Sequence, residues 1–129
     1  MDESGADHLL LRDETYRIRR AVFDVHTILG SGFLEAVYQE CLAVEFMRHG
    51  VCFEPQKPLA LRYRDQTLKQ TYIADFVCHG QIIVELKAAR VIAPEHRAQL
   101  INYLKASGLR LGLLVNFGGA SAEIVRFAL

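Results

Sequence analysis

Two β-prone runs lie almost back to back in this chain, and each is broken by a carboxylate where an apolar residue is expected. They are Tyr72-Ile73-Ala74-Asp75-Phe76-Val77-Cys78 and Ile82-Ile83-Val84-Glu85-Leu86-Lys87, with only His79-Gly80-Gln81 between them. Runs so close and so rich in branched and aromatic residues specify an antiparallel hairpin, with Gly80 free to take positive φ in the turn. The strand period of two puts Glu85 and Lys87 on one face, with Val84 and Leu86 on the other. Loop length then decides which residue meets which. A loop of His79 and Gly80 alone sets Asp75 opposite Val84, facing away from Glu85. A three-residue loop that includes Gln81, or an equivalent bulge, sets Asp75 opposite Glu85. The longer loop is expected, because it gathers both acids on one side.

Two carboxylates at that spacing repel each other, and an unpaired charge inside a strand is costly to bury. The pairing therefore asks for a cation. Oxygen donors without thiolates or clustered histidines suit Mg²⁺ or Mn²⁺ better than zinc. Lys87 beside such an ion can orient or help deprotonate a water and stabilise charge growing on a phosphate. This set of residues fits hydrolysis of a phosphodiester. The plainer reading is a solvated Glu-x-Lys face or simple ion pair, with Asp75 at a bulge.

The rest of the chain supplies the layers around that hairpin. Residues 1–13 read as a flexible lead-in. Ile18, Ala21, Val22, Val25, Ile28 and Leu29 recur at three and four, predicting a helix over 14–29 that stops at Gly30-Ser31-Gly32. A second helix is expected over 33–49, with Leu34, Val37, Tyr38, Cys41, Leu42, Ala43 and Val44 inside and Gly50 as its left-handed stop. Val51 to Phe53 suggests a short strand, Pro55 and Pro58 bracket a connection, and Leu59 to Tyr63 resumes an extended pattern before a turn near Asp65-Gln66. After the hairpin, Pro94 suits the first turn of a third helix, running to Ser107 before Gly108. Leu111 to Asn116 reads as a strand covered on both faces, and Glu123 to Ala128 as one more. The order α, α, β, β, β, β, α, β, β gives an α/β fold, a mixed α+β sheet with helices packed on it. One domain over 14–129 is expected, since a 129-residue chain hides only about two-thirds of its extended surface and fills one core.

The helices add candidates. Glu35 and Tyr38 share a face, Gly32 just before them permits close approach of backbone or ligand, and Glu35 is also favourable simply as an acid in a first turn. Glu40 lies about 140° around the helix and is expected in solvent. His96, Gln99 and Tyr103 follow i, i+3, i+7, with Arg97 and Lys105 on the same helix. That stripe could hold a phosphate backbone and the attacking water, or be an ordinary solvated face.

Charge and cysteines remove other classes. The formal net charge is zero, which exerts no global pull on nucleic acid, although Lys87, Arg90, Arg97, Lys105 and Arg110 face only Glu95 in their segment. Cys41, Cys52 and Cys78 are too dispersed for a zinc set and are expected as small buried hydrophobes, so a Cys-His hydrolase is disfavoured. No stretch approaches the roughly 20 apolar residues of a membrane span. The acidic, polar start from Met1 to Asp7 carries no export pattern, and a cytoplasmic location is expected.

Taken together, these blocks resemble the GxxExxY proteins, a branch of the PD-(D/E)XK nuclease superfamily. The matching segments are Gly32-Phe33-Leu34-Glu35-Ala36-Val37-Tyr38, the Asp75 strand, Val84-Glu85-Leu86-Lys87, Pro94 through Leu104, and Gly112 through Gly118. The resemblance implies a restriction-endonuclease-like core: a central mixed sheet of about four strands flanked by helices. It implies Asp75 and Glu85 as metal ligands, Lys87 as the catalytic lysine and Glu35 as the helix glutamate completing the acidic site. Gln99 and Tyr103 resemble the Q-x-x-x-Y element of RecB-like nucleases. Ala74 stands where the superfamily name has proline.

The expected activity is therefore Mg²⁺- or Mn²⁺-dependent cleavage of DNA, or less favourably RNA. Asp75, Glu85 and Glu35 would hold the ion, Lys87 would position water, and Gln99, Tyr103, Tyr38, His96 and Arg97 would contact substrate. The alternative is an inactive nuclease-fold domain that binds or builds, as a homodimer or with a partner protein. No membrane partner is expected.

Overall fold

The first periodic segment folds as α1 (Arg12–Leu29), in a computed structural model that describes residues 11–129. Its buried stripe is Thr15, Ile18, Ala21, Val22 and Val25. Arg12 and Asp13 are already helical, so the expected start at Glu14 moves two residues earlier, while positions 1–10 of the expected lead-in lie outside the described residues. Ile28, expected inside, is exposed, because it stands about 80° around the helix from Ile18, at the margin of the stripe.

The second helix, α2 (Glu35–Arg48), buries Tyr38, Leu42, Glu45 and Phe46. Leu34 and Val44 were expected inside and are exposed. Leu34 is the extended residue before the helix rather than part of it, and Val44 projects about 120° away from Tyr38. Gly50, with φ +69°, provides the left-handed exit.

Five strands form one sheet, β1 (Phe53–Tyr63), β2 (Gln66–Cys78), β3 (Ile82–Lys87), β4 (Leu111–Asn116) and β5 (Glu123–Ala128), ordered as they occur in the chain. Only β3 and β4 are parallel; the other neighbours are antiparallel. Parallel neighbours need a crossover, and α3 (Pro94–Ser107) supplies it, starting and ending where the sequence predicts. The strand count differs from expectation. The two short strands proposed for residues 51–63 are one edge strand, β1, and its prolines are tolerated because it pairs on one side only.

Helices cover both faces, so the sheet has two cores. On the α1 and α2 side, Ile82, Val84 and Leu86 of β3 meet Phe76, Phe46, Tyr38 and Phe117. On the α3 side, Ile83 and Leu114 meet Leu100, Tyr103 and Leu104. All six residues of β4 are buried, as its unbroken apolar run predicts. Among the cysteines Cys78 is buried, Cys41 partly so, and Cys52 is exposed, contrary to expectation, because it lies in the connection before β1.

The hairpin has the predicted loop. Cys78 pairs with Ile82 across His79, Gly80 and Gln81, and the two central residues take φ of 54° and 65°. Gln81 N–H closes the turn on the Cys78 carbonyl at 3.0 Å.

At the far end of β4, buried Asn116 holds the chain that leaves Lys87. Its Oδ1 accepts the N–H groups of Ala89 and Gly118, and its Nδ2 donates to the Ala89 carbonyl at 2.8 Å. A Cβ at Gly118 would overlap the Ala89 backbone. Asn116→Ala leaves three backbone groups without this partner and is expected to lower stability by about 2–4 kcal/mol; urea unfolding that shows no loss would refute the clamp.

Candidate active site

Pairing between β2 and β3 ends at Phe76 and Val84. The next residues on the two strands are Asp75 and Glu85, and their carboxylates take over backbone groups the ladder no longer serves. Asp75 N–H donates to Glu85 Oε2 at 3.2 Å, and Leu86 N–H donates to Asp75 Oδ2 at 2.8 Å. The strand beyond is distorted too: Gln56 of β1, which faces this position between the Pro55–Phe76 and Lys57–Ala74 pairs, takes φ +48°. Gln39 of α2 donates Nε2 to the Asp75 carbonyl at 2.9 Å. The sequence therefore brings the acids together at a fork between strands, not in the middle of a regular ladder.

Glu85 is only 4 % exposed. Burial, and after it the hydrogen bond and charge of Asp75, push its carboxyl up to about 9. The Asp75 N–H and the Lys87 charge act the other way and are outweighed. Without a cation, Glu85 is thus protonated at neutral pH. Burial accounts for most of this retention, and the part due to the neighbouring Asp75 carboxylate is what a positive charge placed between the two acids would relieve. Both donors are hard oxygens, which fits Mg²⁺ or Mn²⁺.

Two walls flank the acids. On the α2 side, Glu35, Ala36, Gln39, Gln56, Asp75 and Leu86 line an open cleft of about 290 Å³. Glu35 is exposed there at the first position of α2. On the α3 side, Lys87 Nζ donates to Gln99 Oε1 at 3.3 Å. Tyr103 is buried with its ring 4.5 Å from that of Tyr72. Burial raises its phenol, and the charges of Glu85 and Asp75 raise it further, so the hydroxyl shares their field. The structure thus joins Asp75, Glu85, Lys87, Gln99 and Tyr103, with Glu35 opposite. It does not bring the carboxylates of Glu35, Asp75 and Glu85 into one tight trio; among the described residues, the three ligand groups lying within 4.8 Å of one another are those of Asp24, Glu45 and His49.

Tyr38 was expected to touch substrate, but the structure places its side chain in the core, away from the cleft lining. It is fully buried, its ring stacks on Phe117 at 4.5 Å, and its hydroxyl donates to the Gly30 carbonyl and accepts from Phe33 N–H. Those bonds explain the Gly-x-x-Glu-x-x-Tyr spacing physically. Gly32 takes φ +103°, a conformation open chiefly to glycine, and Tyr38 fastens the bend so that Glu35 emerges at the cleft. His96 accepts the Ala93 N–H on Nδ1, capping α3, and neither it nor Arg97 lines either wall. Sequence reasoning missed Gln39, Gln56, Tyr72 and Asn116, whose contacts span elements and leave no periodic trace. A larger hollow of about 520 Å³ at the start of α1, lined by Arg12, Asp13, Thr15, Tyr16, Arg19 and Arg126, has no part in the acidic site.

The family model of the PD-(D/E)XK nuclease superfamily matches residues 12–127. Comparison with curated proteins and with solved structures gives no match. Among the described residues, no helix is long and apolar enough to cross a membrane.

The raised Glu85 carboxyl has a measurable effect on stability. The folded state holds a proton that the unfolded chain releases near 4.5, so this contribution is complete below about pH 4.5 and is lost as pH rises through about 9. Between those limits one proton corresponds to a slope of about 1.4 kcal/mol per pH unit. Glu85→Gln cannot ionise; in metal-free buffer its advantage over wild type should grow from pH 5 to pH 9, read from thermal melts. Parallel profiles would contradict the assignment.

Proposed function

Because the chain belongs to the PD-(D/E)XK nuclease superfamily, we propose that it is a divalent-metal-dependent nuclease that hydrolyses phosphodiester bonds in DNA, with RNA less favoured. The observation that carries this reading is the Asp75–Glu85 pair at the strand fork, with Lys87 two residues on and exposed enough to meet solvent. Asp75 and Glu85 would hold Mg²⁺ or Mn²⁺, with Glu35 completing the acidic set from across the cleft. When bound, the ion neutralises charge on the phosphate and makes water a better nucleophile.

The remaining roles belong to the chain's own groups. Glu85 would have to be ionised to hold the ion, and a neighbouring positive charge would favour that form against the burial and the Asp75 carboxylate that raise its pKa. Lys87 orients the attacking water and offsets negative charge on the reacting phosphate, and Gln99 fixes its amine through the 3.3 Å hydrogen bond. Tyr103 walls the site and Gln99 on α3 is assigned to the phosphate backbone, whereas His96, which caps α3, and Arg97 stand outside both walls and leave the substrate set. Tyr38 leaves the substrate set and keeps its structural role. The Gly32 bend, Glu35 at the cleft and the Tyr38 anchor support placing the chain in the GxxExxY branch.

A net charge of zero favours a second reading, a nuclease-fold domain that binds or builds without cutting. Nonspecific affinity for nucleic acid comes largely from phosphate neutralisation, and this chain has little to spare. For the active reading, the same fact points to a second copy or a partner protein as the source of substrate selection.

The deciding experiment is cleavage of single-stranded and branched DNA with Mn²⁺. Lys87→Ala and Asp75→Asn should each lower the rate by at least ~100-fold while circular dichroism stays native. If wild type and Lys87→Ala are indistinguishable on all substrates, the catalytic reading fails. Tyr38→Phe should keep the rate within a few-fold and lose about 1 kcal/mol of stability; a rate collapse in a stable Tyr38→Phe protein would restore Tyr38 to the substrate contacts.

A further inference from the structure

A second set of ligands lies at the other end of α2. Glu45 and His49 are four residues apart on one side of the helix end, and Asp24 of α1 faces them. His49 Nε2 stands 2.7 Å from Asp24 Oδ2 and 3.6 Å from Glu45 Oε2. Two donors that each bind one tetrahedral ion at about 2.1 Å are themselves ~3.4 Å apart. The three groups therefore need to move little to share an ion.

The independent observation is Glu45 Oε2. It is buried and has no hydrogen-bond partner, in a residue that is 8 % exposed. Arg48 Nε approaches to 3.4 Å without forming a hydrogen bond, and its side chain is mostly in solvent. A buried carboxylate oxygen served only by these longer ion-pair approaches lacks a close partner, and it lies within 4.8 Å of ligand atoms of His49 and Asp24, which are hydrogen-bonded to each other. Asp24 is half-exposed, giving an ion a way in from solvent.

We propose that Asp24, Glu45 and His49 form a second divalent-metal site, of the zinc type, that ties α1 to α2. The donor chemistry separates it from the cleft. One imidazole nitrogen with two carboxylates suits zinc, whereas the all-oxygen Asp75–Glu85 pair suits Mg²⁺ or Mn²⁺. Glu45 and Glu35 are ten residues apart on α2, ~15 Å along the axis, so the two sites do not share ligands. Bound zinc would hold in place the helix that carries Glu35 and Gln39, with three protein ligands and a fourth position left open to water.

Zinc titration by calorimetry tests this in the Asp75→Asn/Glu85→Gln protein, with excess Mg²⁺ present. About one equivalent of Zn²⁺ should bind, and saturation at ~100 times the dissociation constant should raise the melting temperature by roughly 10 °C. Asp24→Asn and His49→Ala should each weaken binding at least tenfold. Asp24 is half-exposed, so its variant keeps the test sound if His49→Ala fails to fold. Three results would overturn the proposal: no Zn²⁺ bound, full binding retained in a folded Asp24→Asn protein, or thiolate charge-transfer bands with Co²⁺, which would assign the ion to cysteine.

Discussion

The structure depends on where the ladder between β2 and β3 is allowed to end. Had it run one pair further, Asp75 and Glu85 would have lain across a regular ladder, their backbone groups paired and their carboxylates left to repel. Because it stops at Phe76 and Val84, the side chains themselves satisfy Asp75 N–H and Leu86 N–H. Those bonds secure the acids beside each other in a place that burial makes hostile to two negative charges. The proton on Glu85 relieves that conflict, and a cation would relieve it in another way. Local strand geometry and site electrostatics are in this sense one feature.

A second chain of contacts holds the walls in place around the fork. Tyr38 stacks on Phe117, and Phe117 N–H donates to the Lys87 carbonyl at 2.9 Å, extending the β3–β4 pairing past its last strand residue. The start of α2, which presents Glu35, is thereby joined to the end of β3, which presents Lys87, through one aromatic pair. Asn116 secures the segment just after Lys87 from the same strand end. These residues touch no substrate in the proposed reaction. They tie together the two elements that carry Glu35 and Lys87.

Much of this was legible in the sequence, for physical reasons that differ by element. The runs of β3 and β4 and the Pro94-to-Gly108 helix were bounded correctly because their start and stop signals are local. The loop of the hairpin followed from a single requirement, that two acids share a side, and Cys78 does pair with Ile82. β1 was not legible. Pro55 and Pro58 read as breaks, and only knowing that the strand lies at the sheet edge makes them compatible with pairing. Tyr38 was misread for a related cause: helix spacing shows that it shares a face with Glu35, yet not that its hydroxyl is already committed to Gly30.

The same limit explains why Asp24, Glu45 and His49 drew no notice. The Glu45–His49 spacing is visible along a helix, but Asp24 enters only through the packing of α1 on α2, and a buried oxygen without a partner has no sequence pattern. Helix α2 consequently joins two electrostatic problems of opposite design. At its start Glu35 is exposed beside an acidic pair that holds a proton. At its end Glu45 is buried beside a histidine and the oxygen of a second helix. A rigid rod of fourteen residues transmits position from one end to the other, so constraint at the α1–α2 junction limits how far Glu35 can drift from Asp75, even though no ligand or hydrogen bond is common to both ends.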